Sequence, residues 1–305
     1  MVQKYFFVKI LNDIENKTQR LTLYLLHLHF CTLGNTIFTG KVYYCFDELP
    51  STNDYAVQLI DTGINTDAED VSQQLSTVLH GLKAAKSRPA EGSVVRAVNQ
   101  SAGHGQFGSR WESEPGCNLT LSVIWYPVWL SVERSFYLNI IASLAVHDAL
   151  VHLRDRCTAD KQPLPVCVKW PNDVYIGDRK CAGILIQNGI MGQQLQWSVV
   201  GVGLNINQSG FSNAAPHAVS AAMAFGCLFD LEEVMRHLFI RLEQRYLQLK
   251  AGGDAALRAL YESHLYLRAQ EAVFHHVQKD ASLPGTITGV TEAGRLKLRT
   301  ARGEQ

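Results

Sequence analysis

The chain has no surplus of charge of either sign. Against 28 Lys and Arg stand 28 Asp and Glu, for a formal net charge of zero over 305 residues. Nucleic-acid binders usually carry a basic excess, so its lack counts against nucleic acid as a partner. CxxC pairs are missing as well. The seven cysteines (Cys31, Cys45, Cys117, Cys157, Cys167, Cys181 and Cys227) stand singly. An odd, scattered set makes a poor disulfide framework and reads as free thiols in a reducing cytoplasm. No run reaches the roughly 20 apolar residues that a spanning helix needs; Leu21 to Leu33 extends about 13 and is broken by His27 and His29. Mixed polar residues precede it instead of the short basic start of a secretory leader. Internal repeats and low-complexity tracts are absent too, and the expectation is a soluble protein with no membrane partner.

What is present is enough apolar material for a packed core: 47% hydrophobic and 18% charged residues. Val42 to Phe46 reads as a strand, stopped at Leu49-Pro50. Ser51 and Asn53 then suit the N-cap of a helix from about Tyr55 to Asp61. Ser93 to Ala97 and Asn118 to Trp125 are β-branched strand runs on either side of a glycine-rich loop. From Ser131 to Arg156, apolar positions at steps of three and four predict a long helix with one buried face. Val166 to Trp170 is a strand that Pro171 ends. Asp173 to Ile176 and Lys180 to Ile186 read as a hairpin about Gly177-Asp178, and Trp197 to Ile206 as a further strand. Helices are expected over Leu231 to Lys250 and Ala255 to Tyr266. Beyond about Arg268 the pattern changes to short β segments, Gly285 to Val290 and Arg295 to Thr300. This predicts an α+β chain: residues 42–267 form a mixed α/β body, and 268–305 a small β module with little room for a last strand. Residues 1–41 are an extension with no chemistry that can be named.

Two stretches carry chemistry. Gly103-His104-Gly105-Gln106-Phe107-Gly108 matches G-x-G-x-x-G, yet a turn-rich stretch follows instead of a helix, and no ribose-binding acid comes at the expected spacing. A dinucleotide site is therefore set aside. A loop with this much glycine still lets backbone N–H groups approach an anion. Lys169-Trp170-Pro171-Asn172-Asp173 is less common; it presents an amide and a carboxylate at a strand end, with Lys180 folded back toward Asp173 by the turn. Alone, such a pair is as readily a surface ion pair as a functional one.

Taken in order, Ser51-Thr52-Asn53, the loop Gln100 to Trp111, Lys169 to Asp173, Arg179 to Leu185 and Gly201 to Asn207 resemble the biotin protein ligases, or holocarboxylase synthetases. The likeness is to the stand-alone members, without a DNA-binding domain. It implies a biotin/lipoate-ligase type of mixed sheet with helices, followed by an SH3-like β-barrel module. It also implies activation of biotin by ATP to biotinyl-5'-AMP, then transfer to a lysine of a biotin carboxyl carrier protein, as of acetyl-CoA carboxylase. Carried over residue by residue, Ser51, Thr52, Asn53, Gln100, His104, Gly105 and Gln106 fall at the biotin site. Lys180 matches the lysine that meets the biotin carboxylate and the activated phosphate, and Trp111 the aromatic that stacks on adenine. Gly103, Arg110, Asn172 and Asn205 fall on the nucleotide side. Asp173 takes the acidic position near Mg²⁺ and the acceptor amine, and a homodimer is compatible with the likeness.

The family's loop is commonly rich in arginine, whereas here the matching positions hold His104, Gln106 and Phe107. Arg110 is the one permanent cation between Gln100 and Trp111. It either turns in to a phosphate or pairs outside with Glu112 or Glu114. Two rival classes remain. Lipoyl or octanoyl transferases would show an Arg-Arg-x-Ser-Gly-Gly type of loop, and a non-catalytic biotin-binding module has no use for Lys180, Asp173 and Trp111 together.

Overall fold

The computed structural model describes residues 27–28, 36–62, 88–157, 164–276, 280–301 and 303–304. Most of Leu21 to Leu33, and Cys31 with it, lie outside them. Eight strands form one mixed sheet: β1 (His27–Leu28), β2 (Tyr43–Leu49), β3 (Val94–Gln100), β4 (Leu119–Trp125), β5 (Val166–Lys169), β6 (Asp173–Ile176), β7 (Arg179–Met191) and β8 (Gln194–Leu204). Their order is β1-β2-β3-β4-β8-β7-β6-β5. The β2–β3 pairing is parallel, and the others are antiparallel.

Period-two alternation sends neighbouring residues to opposite faces, and both faces are covered. Tyr43, Val94, Val123, Val200 and Val202 join the larger core under helices α2 (Phe136–Cys157), α4 (Leu231–Lys250) and α5 (Asp254–Ser263). Their neighbours Tyr44, Val95, Ile124 and Val199 face helix α1 (Thr52–Thr62) through Ala56 and Leu59. Helix α2 is long and apolar enough to cross a membrane by composition, but most of it is buried inside the molecule. Short helix α3 (Ala221–Phe225) and helix α4 start where Ser220 and Asp230 accept from the backbone N–H groups of Met223 and Glu232. Strands β9 (Glu271–His276), β10 (Ala281–Val290), β11 (Leu296–Thr300) and β12 (Gly303–Glu304) form a separate antiparallel sheet, consistent with the SH3-like module. It is fixed to the body where Trp170 Nε1 donates to the Gly294 carbonyl at 2.7 Å.

Two points stand beside the expectations, and the second is a correction. The first is that the described residues of the stretch 1–41 contact the body: β1 pairs with β2, and the N–H groups of Ile37, Phe38 and Thr39 all donate to the carboxylate of Glu243. That acid is 5% exposed and is satisfied there by three backbone donors, a long-range arrangement that no local pattern announces. The second concerns the thiols. Cys157 and Cys227 form a disulfide, with Cα atoms 6.4 Å apart across 70 residues of sequence. Gly226, in the left-handed region at φ 78°, ends α3 just before Cys227, which meets Cys157 at the last turn of α2. Cys45, Cys117, Cys167 and Cys181 are free, as expected.

Candidate active site

The site lies on the α1 face of the central strands, where the sheet carries almost no side-chain bulk. In register, Ser122 of β4 stands opposite Gly201 of β8, and Thr120 opposite Gly203; Gly203 in turn pairs with Gly183 of β7. The alternate residues Val200, Val202 and Leu204 point into the helical core. The strand is therefore a strand for its apolar face and a floor on its glycine face. A Cβ on Gly201 would fall 2.2 Å from Asn53 Oδ1, and one on Gly203 would fall 2.4 Å from Trp111 Cε2. Both approaches need the bare backbone.

Above this floor is a cleft of about 300 Å³, at the lower end of small-molecule sites. Its lining includes Ser51, Thr52, Asn53, Gln100, His104, Gly105, Gln106, Arg110, Trp111, Asn172, Asp173 and Lys180. Nearly all the residues singled out in the sequence thus meet in one place.

Each arrives for a local reason. Ser51 caps α1, its Oγ accepting from the Asp54 N–H at 3.3 Å. Gln100, at the end of β3, accepts from the Thr52 N–H at 2.8 Å, so the first turn of α1 and the glycine loop share a wall. Asn53 is 4% exposed; it donates to the Leu185 carbonyl at 3.1 Å and accepts from Ser122 Oγ at 2.6 Å. The loop closes on itself where Trp111 N donates to the Gly103 carbonyl and Gly105 N to that of Ser109, which lays the Trp111 indole over Gly203 and Gly183.

Lys180 Nζ and Asp173 Oδ1 are 2.8 Å apart, with their side chains 34% and 21% exposed. The turn at Gly177-Asp178 brings them together as expected. The backbone of Lys180 is also held by the 210–219 segment: its N–H donates to His217 O and its carbonyl accepts from Val219 N. The ammonium sits 5.8 Å from the Trp111 ring centroid, within cation–π reach.

The motif Lys169 to Asp173 divides in two. Asn172 and Asp173 line the cleft, and Asn172 donates to the Ile184 carbonyl at 2.5 Å. Lys169 instead reaches the Tyr175 hydroxyl at 2.9 Å, and Trp170 anchors the small sheet. Gly103 and Asn205 stand beside the cleft, not in its lining. Asn205 is 2% exposed; its N–H donates to Cys181 O and its carbonyl accepts from Ala221 N, so it fixes the end of β8.

Arg110 is exposed and lines the cleft. The alternative pairing with Glu112 or Glu114 does not occur. Glu112 is engaged by the hydroxyl and N–H of Ser212, and those bonds hold its carboxyl below the usual range. Among the described residues Arg110 has no carboxylate partner. Cys181 is fully buried in the core on the other face, away from the cleft, and burial raises its thiol.

Ser122 and the floor glycines Gly183, Gly201 and Gly203 join the site although no motif marks them as site residues. Their signal is small residues at alternate positions of β4 and β8, set between Val and Leu.

The biotin–[acetyl-CoA-carboxylase] ligase of Mycobacterium tuberculosis is 31% identical over 243 residues, covering 79% of this chain and 86% of that protein. This chain belongs to the biotin protein ligase family. The model of the biotin/lipoate A/B protein ligase family matches residues 72–205. Among other relatives of this ligase, the bifunctional ligase/repressor BirA of Bacillus spizizenii is 26% identical over 245 residues, covering 77% of this chain and 69% of its own. The fold is that of the biotin protein ligase from Aquifex aeolicus in complex with biotin and ATP, with a TM-score of 0.63, 21% identity, and 86% and 94% of the two chains covered.

Proposed function

We infer that this chain is an ATP-dependent ligase that converts biotin to biotinyl-5'-AMP and passes the biotinyl group to a lysine of a biotin carboxyl carrier protein. The observation that carries the reading is the Lys180–Asp173 pair at 2.8 Å, set over a floor of bare backbone in the cleft. A carboxylate oxygen of biotin attacks the α-phosphorus of ATP, and the bond to pyrophosphate breaks with its electrons leaving on that group. Two anions must approach, so a fixed cation at their meeting point lowers the barrier. Lys180 is suited to this, a compact charge on a flexible stem whose backbone is clamped on both sides. The anhydride hydrolyses in water, and the loop from Gln100 to Trp111 is placed to cover it. The carrier amine then attacks the acyl carbon, AMP departs with the electrons of the C–O bond, and Asp173, in the lining of the same cleft, is the base that takes the amine proton.

Within this reading Ser51, Thr52, Asn53, Gln100, His104, Gly105 and Gln106 hold biotin, and Arg110, Trp111 and Asn172 serve the nucleotide, with Gly103 and Asn205 shaping the loop and the end of β8 behind them. Arg110 supplies the loop's cation. Mg²⁺ fits the donors only as a companion of ATP: among the described residues Asp173 is the sole carboxylate in the lining, and magnesium commonly takes one or two carboxylates with phosphate oxygens. When bound it would neutralise phosphate charge. The zero net charge supports a protein that works without nucleic acid, and the use of ATP supports a cytoplasmic setting. The test is a streptavidin blot of a purified carrier domain incubated with the protein, biotin and ATP. A biotinylated band that needs all three is expected; no band with active carrier refutes the reading.

A further inference from the structure

Outside the cleft lining, helices α2 and α4 bring three side chains able to bind metal together. Glu233 and His237 are four residues apart on α4 and so share one face; His152 meets them from α2. One ligand atom from each lies within 4.8 Å of the other two. The imidazoles of His152 and His237 stack with centroids 3.8 Å apart and planes inclined by 31°. Nε2 of His152 is shielded from solvent and has no hydrogen-bond partner. A buried ring nitrogen left unpaired is costly and calls for an explanation. The surroundings are held firmly: Arg156, one turn beyond His152, donates to Glu233, and the Cys157–Cys227 disulfide closes the same end of the helix pair.

We propose that His152, Glu233 and His237 form a binding site for a divalent transition-metal ion, zinc in the first place. Two imidazoles and a carboxylate are ligands that suit zinc, cobalt, nickel or copper; magnesium and calcium prefer all-oxygen sets. Three protein ligands leave a fourth position to water. A tetrahedral ion about 2.1 Å from each ligand sets them roughly 3.4 Å apart, so the cluster needs only side-chain rotation to close. Arg156 must release Glu233 when the ion enters and therefore competes with it. A bound ion would pin α2 to α4 and act on stability. The site is independent of the ligase reading, since none of its residues lines the cleft.

The experiment titrates the whole protein with Co²⁺, followed by visible absorption, then displaces it with Zn²⁺; melting curves are recorded with and without Zn²⁺. One Co²⁺ per chain is expected, with affinity at least tenfold weaker in His152→Gln and in His237→Gln and tighter in Arg156→Ala. Zinc should raise the melting temperature of the wild type and not of the histidine variants. Asp173→Asn should bind Co²⁺ as the wild type does, which separates this site from the cleft. If a histidine variant fails to fold without metal, Glu233→Gln takes its place. Absence of Co²⁺ uptake, or equal affinity in wild type and variants, overturns the proposal.

Discussion

Replacing Lys180 with alanine is the sharpest test of the proposed catalytic assignment, because its structural and chemical costs differ in size. In the resting protein Lys180 forms a single ion pair, 2.8 Å from Asp173, with a third of its side chain in solvent. Pairs of that exposure contribute no more than about 1 kcal/mol to stability, equivalent to no more than about 3 °C in melting temperature for a chain of this length. In the adenylation transition state the same ammonium would face charge developing between two anions in a partly enclosed cleft. Loss of one such contact costs on the order of 3 kcal/mol, or about 150-fold in rate. The variant also leaves Asp173 unpaired beside the incoming phosphates, which adds repulsion. The assay is biotin-stimulated exchange of pyrophosphate into ATP, with a thermal melt of each variant. Exchange at the wild-type rate in Lys180→Ala refutes the assignment. So does a loss of activity that merely tracks a large drop in melting temperature, for then the residue is structural.

Gly203→Ala sets a methyl group 2.4 Å from the Trp111 ring and should displace the indole, raising the KM for ATP about tenfold or more while the melt stays near wild type; an unchanged KM argues against Trp111 as a nucleotide contact. Arg110→Ala should weaken ATP binding about tenfold and let free biotinyl-AMP appear in solution, with Gln106→Arg partly restoring retention; normal affinity and retention remove Arg110 from the role of loop cation. Burial works to raise the Asp148 carboxyl, but hydrogen bonds from His147 and Arg245 outweigh it and hold it below its usual value. A depressed carboxyl stabilises the fold above its unfolded-state pKa and loses that contribution as pH falls through the folded one. Asp148→Asn should thus cost about 2 kcal/mol in urea unfolding at pH 7, and the gap to wild type should narrow below about pH 4; a gap that stays constant into acid would contradict the pairing.

Much of this architecture could be read from the sequence where one local rule governed. The long apolar period of α2, the cap of α1, and the turn that folds Lys180 onto Asp173 follow from contacts within a few residues. Most of the named site residues line one cleft because their motifs sit at strand ends, and strand ends are marked by Pro50, Pro171 and glycine. What escaped depended on partners far along the chain. Glu243 looked like one more charge on an amphipathic helix, yet it satisfies three amides some 200 residues away. Cys157 and Cys227 carry no spacing that pairs them. Trp170 seemed part of the ligand motif and proves to hold the small sheet, since an indole N–H takes whatever carbonyl tertiary packing supplies. The floor glycines were seen as motif letters and not as the surface on which a ligand lies.

The parallel direction of β2 and β3 has a consequence for how the cleft tolerates change. Leu49 is in register with Gln100, so both chains leave the sheet at the same edge and side by side, one into Ser51 and the other into Ser101. The jaws of the cleft are thus two neighbouring strand ends, and their spacing is set by ladder bonds instead of by the length of chain that joins them. A slip of one residue between the two strands would move Thr52 about 3.3 Å along Gln100 and turn every side chain of β2 to the other face, so the geometry of the opening is guarded by the same apolar alternation that packs the core.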